Sequence, residues 1–385
     1  MKTTAEKKNT GSGSASEESV HASTVGDARR YFSVWKVVVP VIIGIAVVVS
    51  LFIHDARKEN LAMVWSHIDF DARAIGCILL AFAFMFGRDF GLSWRFRELT
   101  DRTLPWRSAF EVDLLCEFTS CVTPSAVGGS SLGGVFLYTK GLSFGRATTL
   151  MMTTLFLDEL FFVVACPIIV ATVSEQEIFN SGTAVFSHGM KLTFWLVYCA
   201  LFVWTLVLFV GIIWRPHWIK KVIDVMFSWR VLRRWQGSAA SLASNMLATA
   251  AELRGKPCSF WLKVFGGTAL SWLSRYLVVN ALFLGFVASA DCEQWLILAR
   301  QFVLWVVLMI SPTPGGSGLS EWLFSEYYGD LVASAGMALI LAVFWRVISY
   351  YVYLCIGAFI VPGWLRSSMA RLRGSASSGS GADKI

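Results

Sequence analysis

The chain contains six apolar segments about as long as a membrane-spanning helix, and this feature restricts its fold more than any other. Such a helix needs about 20 mostly apolar residues, because the hydrocarbon core of a bilayer is about 30 Å thick. Hydrophobic residues make up 56% of the chain and charged residues only 15%, which excludes an ordinary soluble domain. We therefore predict an all-α polytopic membrane protein with six spanning helices. They cover residues 35–53, 73–94, 145–173, 191–214, 259–288 and 331–361.

Two further apolar stretches, 107–139 and 294–328, are interrupted near their centres by proline and glycine. Because these residues end or kink helices, we predict that each stretch is a re-entrant hairpin, which enters the membrane and returns to the same side. The alternative is a kink or loop in an ordinary helix. The interruptions read Thr123-Pro124-Ser125-Ala126-Val127-Gly128-Gly129 and Pro312-Thr313-Pro314-Gly315-Gly316-Ser317-Gly318.

The distribution of Lys and Arg predicts how the segments are oriented, since these residues are enriched in cytoplasmic connections. The connection 215–256 contains eight Lys or Arg residues, and the connection 88–107 contains five arginines. The connections 174–190 and 289–293 contain acidic residues but neither Lys nor Arg. We therefore predict a bacterial inner-membrane protein with both termini in the cytoplasm. The five arginines of the first connection are Arg88, Arg95, Arg97, Arg102 and Arg107.

Hairpins at both interruptions keep all the basic connections on the cytoplasmic side of the membrane. If residues 294–310 crossed the membrane fully, Arg366, Arg371 and Arg373 would lie outside the cell. The first hairpin is therefore predicted to enter from the cytoplasm and the second from the opposite side. The resulting order of elements is an inverted-topology repeat, with halves at 31–173 and 174–365. Such repeats commonly place a substrate site near the middle of the membrane.

The remaining segments are predicted to lie outside the hydrocarbon. Residues 1–30 and 366–385 are polar and are predicted to be disordered cytoplasmic tails. Residues 217–235 combine aromatic and basic residues at helical spacing, which is typical of an interfacial helix.

Several functional classes are disfavoured by the sequence. The net charge of +7 comes from basic residues between apolar segments, so membrane orientation explains it without nucleic-acid binding. The sequence contains no Cys/His metal-binding spacing and no phosphate-binding GxxxxGK[ST] loop, so we predict neither a metal nor a cofactor. The oligomeric state is not predicted.

The second interruption resembles the motif of a known family. Residues 312–321, which read PTPGGSGLSE, are similar to the PxPGGxGxxE motif of the lysylphosphatidylglycerol synthetase transmembrane, or flippase-like, family. The first interruption, followed by Lys140-Gly141-Leu142-Ser143 and Ala147, is similar to that family's other landmark. Family members often carry a charged residue after the first glycine pair, where this chain has Ser130 and Ser131.

This resemblance covers about residues 31–365 and implies a membrane module that moves lipids between leaflets. No soluble synthetase domain follows the last apolar segment, so lipid aminoacylation is not expected. The expected partner is an anionic lipid or a polyprenyl-phosphate-type precursor. Moving its head group through hydrocarbon requires compensating charges at depth, because an isolated ion there costs several kcal/mol.

Three arginines at predicted membrane depth, Arg275, Arg300 and Arg346, are candidate contacts for that head group, because a guanidinium matches phosphate oxygens. Glu321 is expected to orient one arginine or to exchange a proton. Alternatively, these charges pair only to hold the bundle together. Backbone groups of the two interruptions are further candidate donors. The residues concerned are Pro124, Gly128, Gly129, Pro314, Gly315, Gly316 and Gly318.

Other acidic residues at depth are candidates for a proton relay with Glu321. Asp158 and Glu159 are adjacent, so one of the two is expected to face inward. Asp113 and Glu117 are four residues apart and share one helix face. That face borders either a water-filled vestibule or simply a solvated entrance, and the solvated entrance is the preferred interpretation.

Two other functional classes remain open. A membrane enzyme that transfers a group to or from a lipid would usually need paired carboxylates or a base and a nucleophile at an aqueous rim, and no such motif is recognisable. A non-transporting partner in cell-envelope assembly is the other alternative, and buried charges argue against it only weakly.

Overall fold

The computed structural model describes residues 70–122, 128–179, 183–214, 236–287, 294–311, 313, 315, 316 and 318–379. Within these ranges the chain is helical and contains no strand. Five helices are long and apolar enough to cross a membrane, and they overlap five of the six predicted spans. The remaining span at 35–53, the tail at 1–30 and the interfacial helix at 217–235 lie outside the described residues.

The helices are numbered here in chain order. They are α1 (Ala72–Leu99), α2 (Trp106–Val122), α3 (Gly128–Thr139), α4 (Phe144–Thr172), α5 (Glu175–Phe179), α6 (Ala184–Phe209), α7 (Gln236–Arg254), α8 (Cys258–Phe286), α9 (Gln294–Leu308), α10 (Leu319–Tyr328), α11 (Ala335–Arg346) and α12 (Val352–Gly379). A π-helical turn, Val347–Tyr351, joins α11 to α12, so that Ala335–Ser367 forms one candidate span.

Short polar side chains define where four of the long helices begin. Asp71, Ser143, Thr183 and Ser334 precede α1, α4, α6 and α11, and each accepts a hydrogen bond from a backbone N–H of the first turn. This capping satisfies a donor that has no partner within the helix, and it stabilises each helix by about 1 kcal/mol.

Two pairs of short helices occupy the interrupted stretches. Helices α2 and α3 have 17 and 12 residues and pack against each other, and α9 and α10 have 15 and 10 residues and are also in contact. At 1.5 Å per residue, their lengths are about 26, 18, 22 and 15 Å. Each is therefore shorter than the hydrocarbon core, which is about 30 Å thick.

The most extensive helix contact joins α1 to α8. A Cβ atom on Gly91 would lie 2.7 Å from the carbonyl oxygen of Gly267, and a Cβ on Gly267 would lie 2.8 Å from the carbonyl oxygen of Gly91. Only glycine permits this approach, because the opposing atoms are backbone atoms with little freedom to move. The contact resembles the small-residue packing by which membrane helices associate.

One expectation from the sequence is wrong. Arg88 and Arg95 do not belong to a connection between helices, because α1 continues to Leu99 and buries both side chains to 1% and 3% exposure. The helix continues through polar residues that a search for apolar segments places outside it. The disordered tail at 366–385 stays a prediction, and α12 extends to Gly379.

Candidate functional site

A cavity of about 220 Å³ lies among the helices of the bundle. Its walls come from α1, α2, α4, α8, α9 and α11, together with the turns that precede α10 and follow α11. Eight charged residues line it, although most of the surrounding helix surface is apolar. They are Arg88, Arg95, Asp113, Glu117, Asp158, Glu159, Arg275 and Arg346.

Glu117 joins two arginines on one side of the cavity. Its carboxylate contacts the guanidinium of Arg88 on α1 and lies 3.9 Å from Nη1 of Arg275 on α8. Arg88 also donates to Asp89 over 3.0 Å, and Asp89 accepts a 2.8 Å hydrogen bond from the hydroxyl of Tyr353. Arg88 is therefore enclosed by partners, whereas the side chain of Arg275 remains 23% exposed.

The guanidinium of Arg275 lies over aromatic rings at the cavity wall. Its central carbon is 4.7 Å from the ring centre of Trp305 and 5.7 Å from that of Trp272. These cation–π contacts hold the guanidinium in place without using its N–H groups. Arg275 therefore combines a fixed position with donors that a ligand can reach.

A second charged pair connects α1 with α4. Arg95 Nη1 donates to Asp158 Oδ1 over 2.5 Å and to Thr268 Oγ1 over 3.2 Å. The indole N–H of Trp272 donates to the same Asp158 oxygen over 2.9 Å. Asp158 is thus held by two donors, one on α1 and one on α8.

Arg346 and Glu321 form the buried pair next to the second interruption. Arg346 Nε donates to Glu321 Oε1 over 2.9 Å, and Arg346 Nη2 donates to the carbonyl oxygen of Gly315 over 3.0 Å. The other oxygen of Glu321 accepts from the Gly318 amide over 2.7 Å and from the Ser320 hydroxyl over 2.8 Å. Glu321 is completely buried, and its hydrogen bond joins it to Arg346 at the cavity wall.

The glycines before α10 make this arrangement possible. Gly315, Gly316 and Gly318 have φ angles of 57°, 71° and 86°, a region that residues with a Cβ rarely adopt. At Gly315 a Cβ would also lie 2.2 Å from the ring of Tyr350. The glycine-rich sequence therefore turns the chain sharply and brings its backbone against the π-helical turn that precedes α12.

Two carboxylates at the cavity have an oxygen without a hydrogen-bond partner in the described part of the chain. These are Glu159 Oε2, on a residue 9% exposed, and Asp113 Oδ2, on a residue 1% exposed. Both Asp158 and Glu159 line the cavity, although only one was expected to face inward. One side of α4 forms part of the cavity wall, so two adjacent side chains of this helix can both reach the cavity.

The structure does not bring Arg300 to this cavity. Its guanidinium is 1% exposed and donates to both carboxylate oxygens of Asp330, over 2.5 and 2.7 Å. It also donates to the carbonyl oxygens of Tyr327 and Glu177, over 2.8 and 2.9 Å. These contacts tie α9 to the end of α10 and to α5.

The other predicted site residues are placed as follows. Gly315 and Gly316 line the cavity with Arg275 and Arg346. Gly128 and Gly129 form the start of α3, and Pro124 and Pro314 lie outside the described residues. The relay proposed for Glu321, Asp158 and Glu159 remains a prediction.

Sequence reasoning missed Arg88 and Arg95 as cavity residues. Both were counted as loop charges. A signal was nevertheless present, because residues 88–99 keep apolar residues at helical spacing, namely Leu92, Phe96 and Leu99.

The comparisons with known proteins agree with the architecture. The family described as lysylphosphatidylglycerol synthase TM region matches residues 37–357. A protein named UPF0104 membrane protein, from Archaeoglobus fulgidus, is 22% identical over 337 residues, which cover 83% of this chain and 94% of that protein. No solved structure matches the chain. With five candidate spanning helices, an internal charged cavity and a match along most of its length, the chain belongs to the lysylphosphatidylglycerol synthase transmembrane-region family.

Proposed function

We propose that this protein moves a phosphate-bearing lipid, or a lipid-linked precursor, between the two leaflets of the cell membrane. The observation that carries the proposal is the meeting of four arginines in one cavity between helices long enough to span a bilayer. A charged head group needs such partners at depth, because hydrocarbon offers it none.

Arg275 is the first contact that we propose for the phosphate. It has only a long contact with Glu117, its side chain is partly exposed, and the Trp305 ring supports it from one side. Arg346 provides the second contact, and Glu321 and the Gly315 carbonyl fix its orientation. Two guanidinium groups held in this way can bind the oxygens of one phosphate.

The proposed architecture is an inverted-topology repeat with two re-entrant hairpins. The hairpins consist of α2 with α3 and of α9 with α10, and the sixth span consists of residues 35–53. The positions of two arginines support the repeat, because Arg88 is the 17th residue of α1 and Arg275 is the 18th residue of α8. These helices occupy corresponding places in the two halves, and both arginines contact Glu117.

We further propose that both termini are cytoplasmic and that the hairpins enter from opposite sides. Single cysteines placed at 126 and 316 of a cysteine-free variant would test this orientation by labelling with a membrane-impermeant thiol reagent. Labelling of 126 from the cytoplasmic side and of 316 from the other side is expected. Labelling of both positions from the cytoplasm would contradict opposed hairpins.

Transport can be tested in liposomes that contain phospholipids with a fluorophore on one acyl chain. Dithionite quenches only the outer leaflet, so additional quenching measures movement between leaflets. We expect wild-type protein to accelerate this movement and Arg275→Gln to lower the rate at least tenfold. Arg254→Gln is the matched control, because Arg254 is exposed at the end of α7. Equal rates for all three proteins would contradict the assigned site, and no movement of any phosphate-bearing lipid would contradict the function.

A further inference from the structure

The charges around the cavity do not form a simple anion site. Four arginines are present, namely Arg88, Arg95, Arg275 and Arg346. Six carboxylates lie among them or pair with them. The carboxylates are Asp89, Asp113, Glu117, Asp158, Glu159 and Glu321. The cavity therefore offers hydrogen-bond acceptors as well as donors to a ligand.

Glu159 and Asp113 are the two cavity carboxylates with an oxygen that has no hydrogen-bond partner within the described structure. Of the two, Glu159 is the more exposed, at 9% against 1%. Its neighbour Asp158 accepts hydrogen bonds from Arg95 and Trp272. A donor would stabilise the buried oxygen of Glu159, and a ligand in the cavity can supply one.

Aromatic rings connect Glu159 to the arginine that we assign to the phosphate. Phe162 is three residues after Glu159, on the same face of α4, and its ring centre is 4.8 Å from that of Trp272. Trp272 in turn is three residues before Arg275 on α8, and its ring is 4.9 Å from that of Trp305. Aromatic rings of the cavity wall therefore lie between the part of α4 that carries Glu159 and the part of α8 that carries Arg275, and aromatic faces favour cations.

We infer that the cavity binds a zwitterionic head group of the phosphoethanolamine type, with Glu159 accepting a hydrogen bond from its primary ammonium while Arg275 binds its phosphate. The inference rests on the proposed function and specifies the substrate class of the same site. A primary ammonium supplies the hydrogen-bond donor that Glu159 lacks within the described structure, and the phosphate of the same head group accepts from Arg275.

Equilibrium binding to the purified full-length protein in detergent tests this assignment apart from transport. The probes are dihexanoyl phosphatidylethanolamine, dihexanoyl phosphatidylglycerol and glycerophosphoethanolamine, which has the same head group without acyl chains. The variants are Glu159→Gln and Arg275→Gln. Glu175→Gln is the control, because Glu175 is half-exposed, pairs with Lys191 and lies outside the cavity.

We expect wild-type protein to bind the ethanolamine lipid at least tenfold more tightly than the glycerol lipid, as the loss of one charge-assisted hydrogen bond predicts. Glu159→Gln should remove this preference and leave the affinity for the glycerol lipid unchanged. Arg275→Gln should weaken both lipids about tenfold, and Glu175→Gln should weaken neither. The comparison of the two lipids on wild-type protein tests the inference even where a variant fails to fold.

Equal or weaker binding of the ethanolamine lipid by wild-type protein, or a preference that survives Glu159→Gln, would overturn the inference. The proposed function would stand in that case if Arg275→Gln still weakened both lipids. If no phosphate-bearing lipid bound at all, both the inference and the proposed function would fail. If glycerophosphoethanolamine bound as tightly as the lipid, the ligand would be a soluble compound and the lipid assignment would be wrong.

Discussion

Arg346 Nε donates to Glu321 Oε1 over 2.9 Å, and the two side chains are buried to 6% and 0% exposure. Removal of one partner leaves the other charge buried without compensation, which costs about 3–5 kcal/mol. Glu321→Ala should therefore lower the Tm of the detergent-solubilised protein strongly. The measurement is thermal unfolding followed by intrinsic fluorescence.

The double variant Glu321→Leu with Arg346→Met removes both charges and provides the control. It should be more stable than Glu321→Ala and should still fail to move lipid, because it lacks the arginine at the cavity. A double variant less stable than the single one would show that the pair does more than neutralise its own charges.

Because Gly91 contacts Gly267, alanine substitutions at two glycines of α1 should have different effects on stability. Gly91→Ala should destabilise the protein by about 1–3 kcal/mol, because its Cβ would meet the backbone of α8 at 2.7 Å. Gly76→Ala, also in α1, is the control, since a Cβ there has no neighbour within 4 Å and glycine is unfavourable in a helix. Thermal unfolding of both variants tests this, and equal Tm values would contradict the close packing of α1 and α8.

Alanine substitutions at Gly315 and Gly316 distinguish the effect of backbone strain from the effect of crowding at the cavity. Alanine is strained at either position because both φ angles are positive, but only Gly315→Ala would place a Cβ against the Tyr350 ring. Lipid movement in liposomes should therefore be slower for Gly315→Ala than for Gly316→Ala when equal amounts of folded protein are compared. The opposite order would argue against a role for Tyr350 in shaping the cavity.

The contacts of Arg300 predict a structural role for this residue. Arg300→Met should destabilise the protein, because Asp330 and two backbone carbonyls lose their donor. The lipid affinity of the fraction that remains folded should stay at the wild-type value, unlike that of Arg275→Gln. Thermal unfolding and binding to the same preparations test both parts. Loss of affinity with unchanged Tm would instead support a direct head-group contact for Arg300.

The sequence was most informative where one physical requirement dominates. Long apolar segments must span the bilayer, and five of the predicted spans coincide with long helices. The proline and glycine interruptions likewise coincide with the ends of short helices. The sequence placed Glu321 near an arginine without identifying which one, and the structure pairs it with Arg346.

The partners of individual charges could not be predicted from the sequence, because they depend on how the helices rotate and pack. Arg88 and Arg95 lie close along the chain to Arg102, which does lie between α1 and α2, and only the continuation of α1 places them inside. Arg300 is an arginine at predicted depth like Arg275, but Asp330, 30 residues later, binds its Nη1 and Nη2 groups. Distance along the sequence gave no information about that pairing.

The backbone contact between α1 and α8 has a mechanical consequence. These two helices carry Arg88, Arg95 and Arg275, so three of the four cavity arginines belong to one closely joined unit. The remaining arginine, Arg346, stands on α11 next to the glycine turn. The spacing of Arg88, Arg95 and Arg275 is therefore set by the packing of one helix pair, whereas the distance of Arg346 from them depends on how α11 packs against that pair.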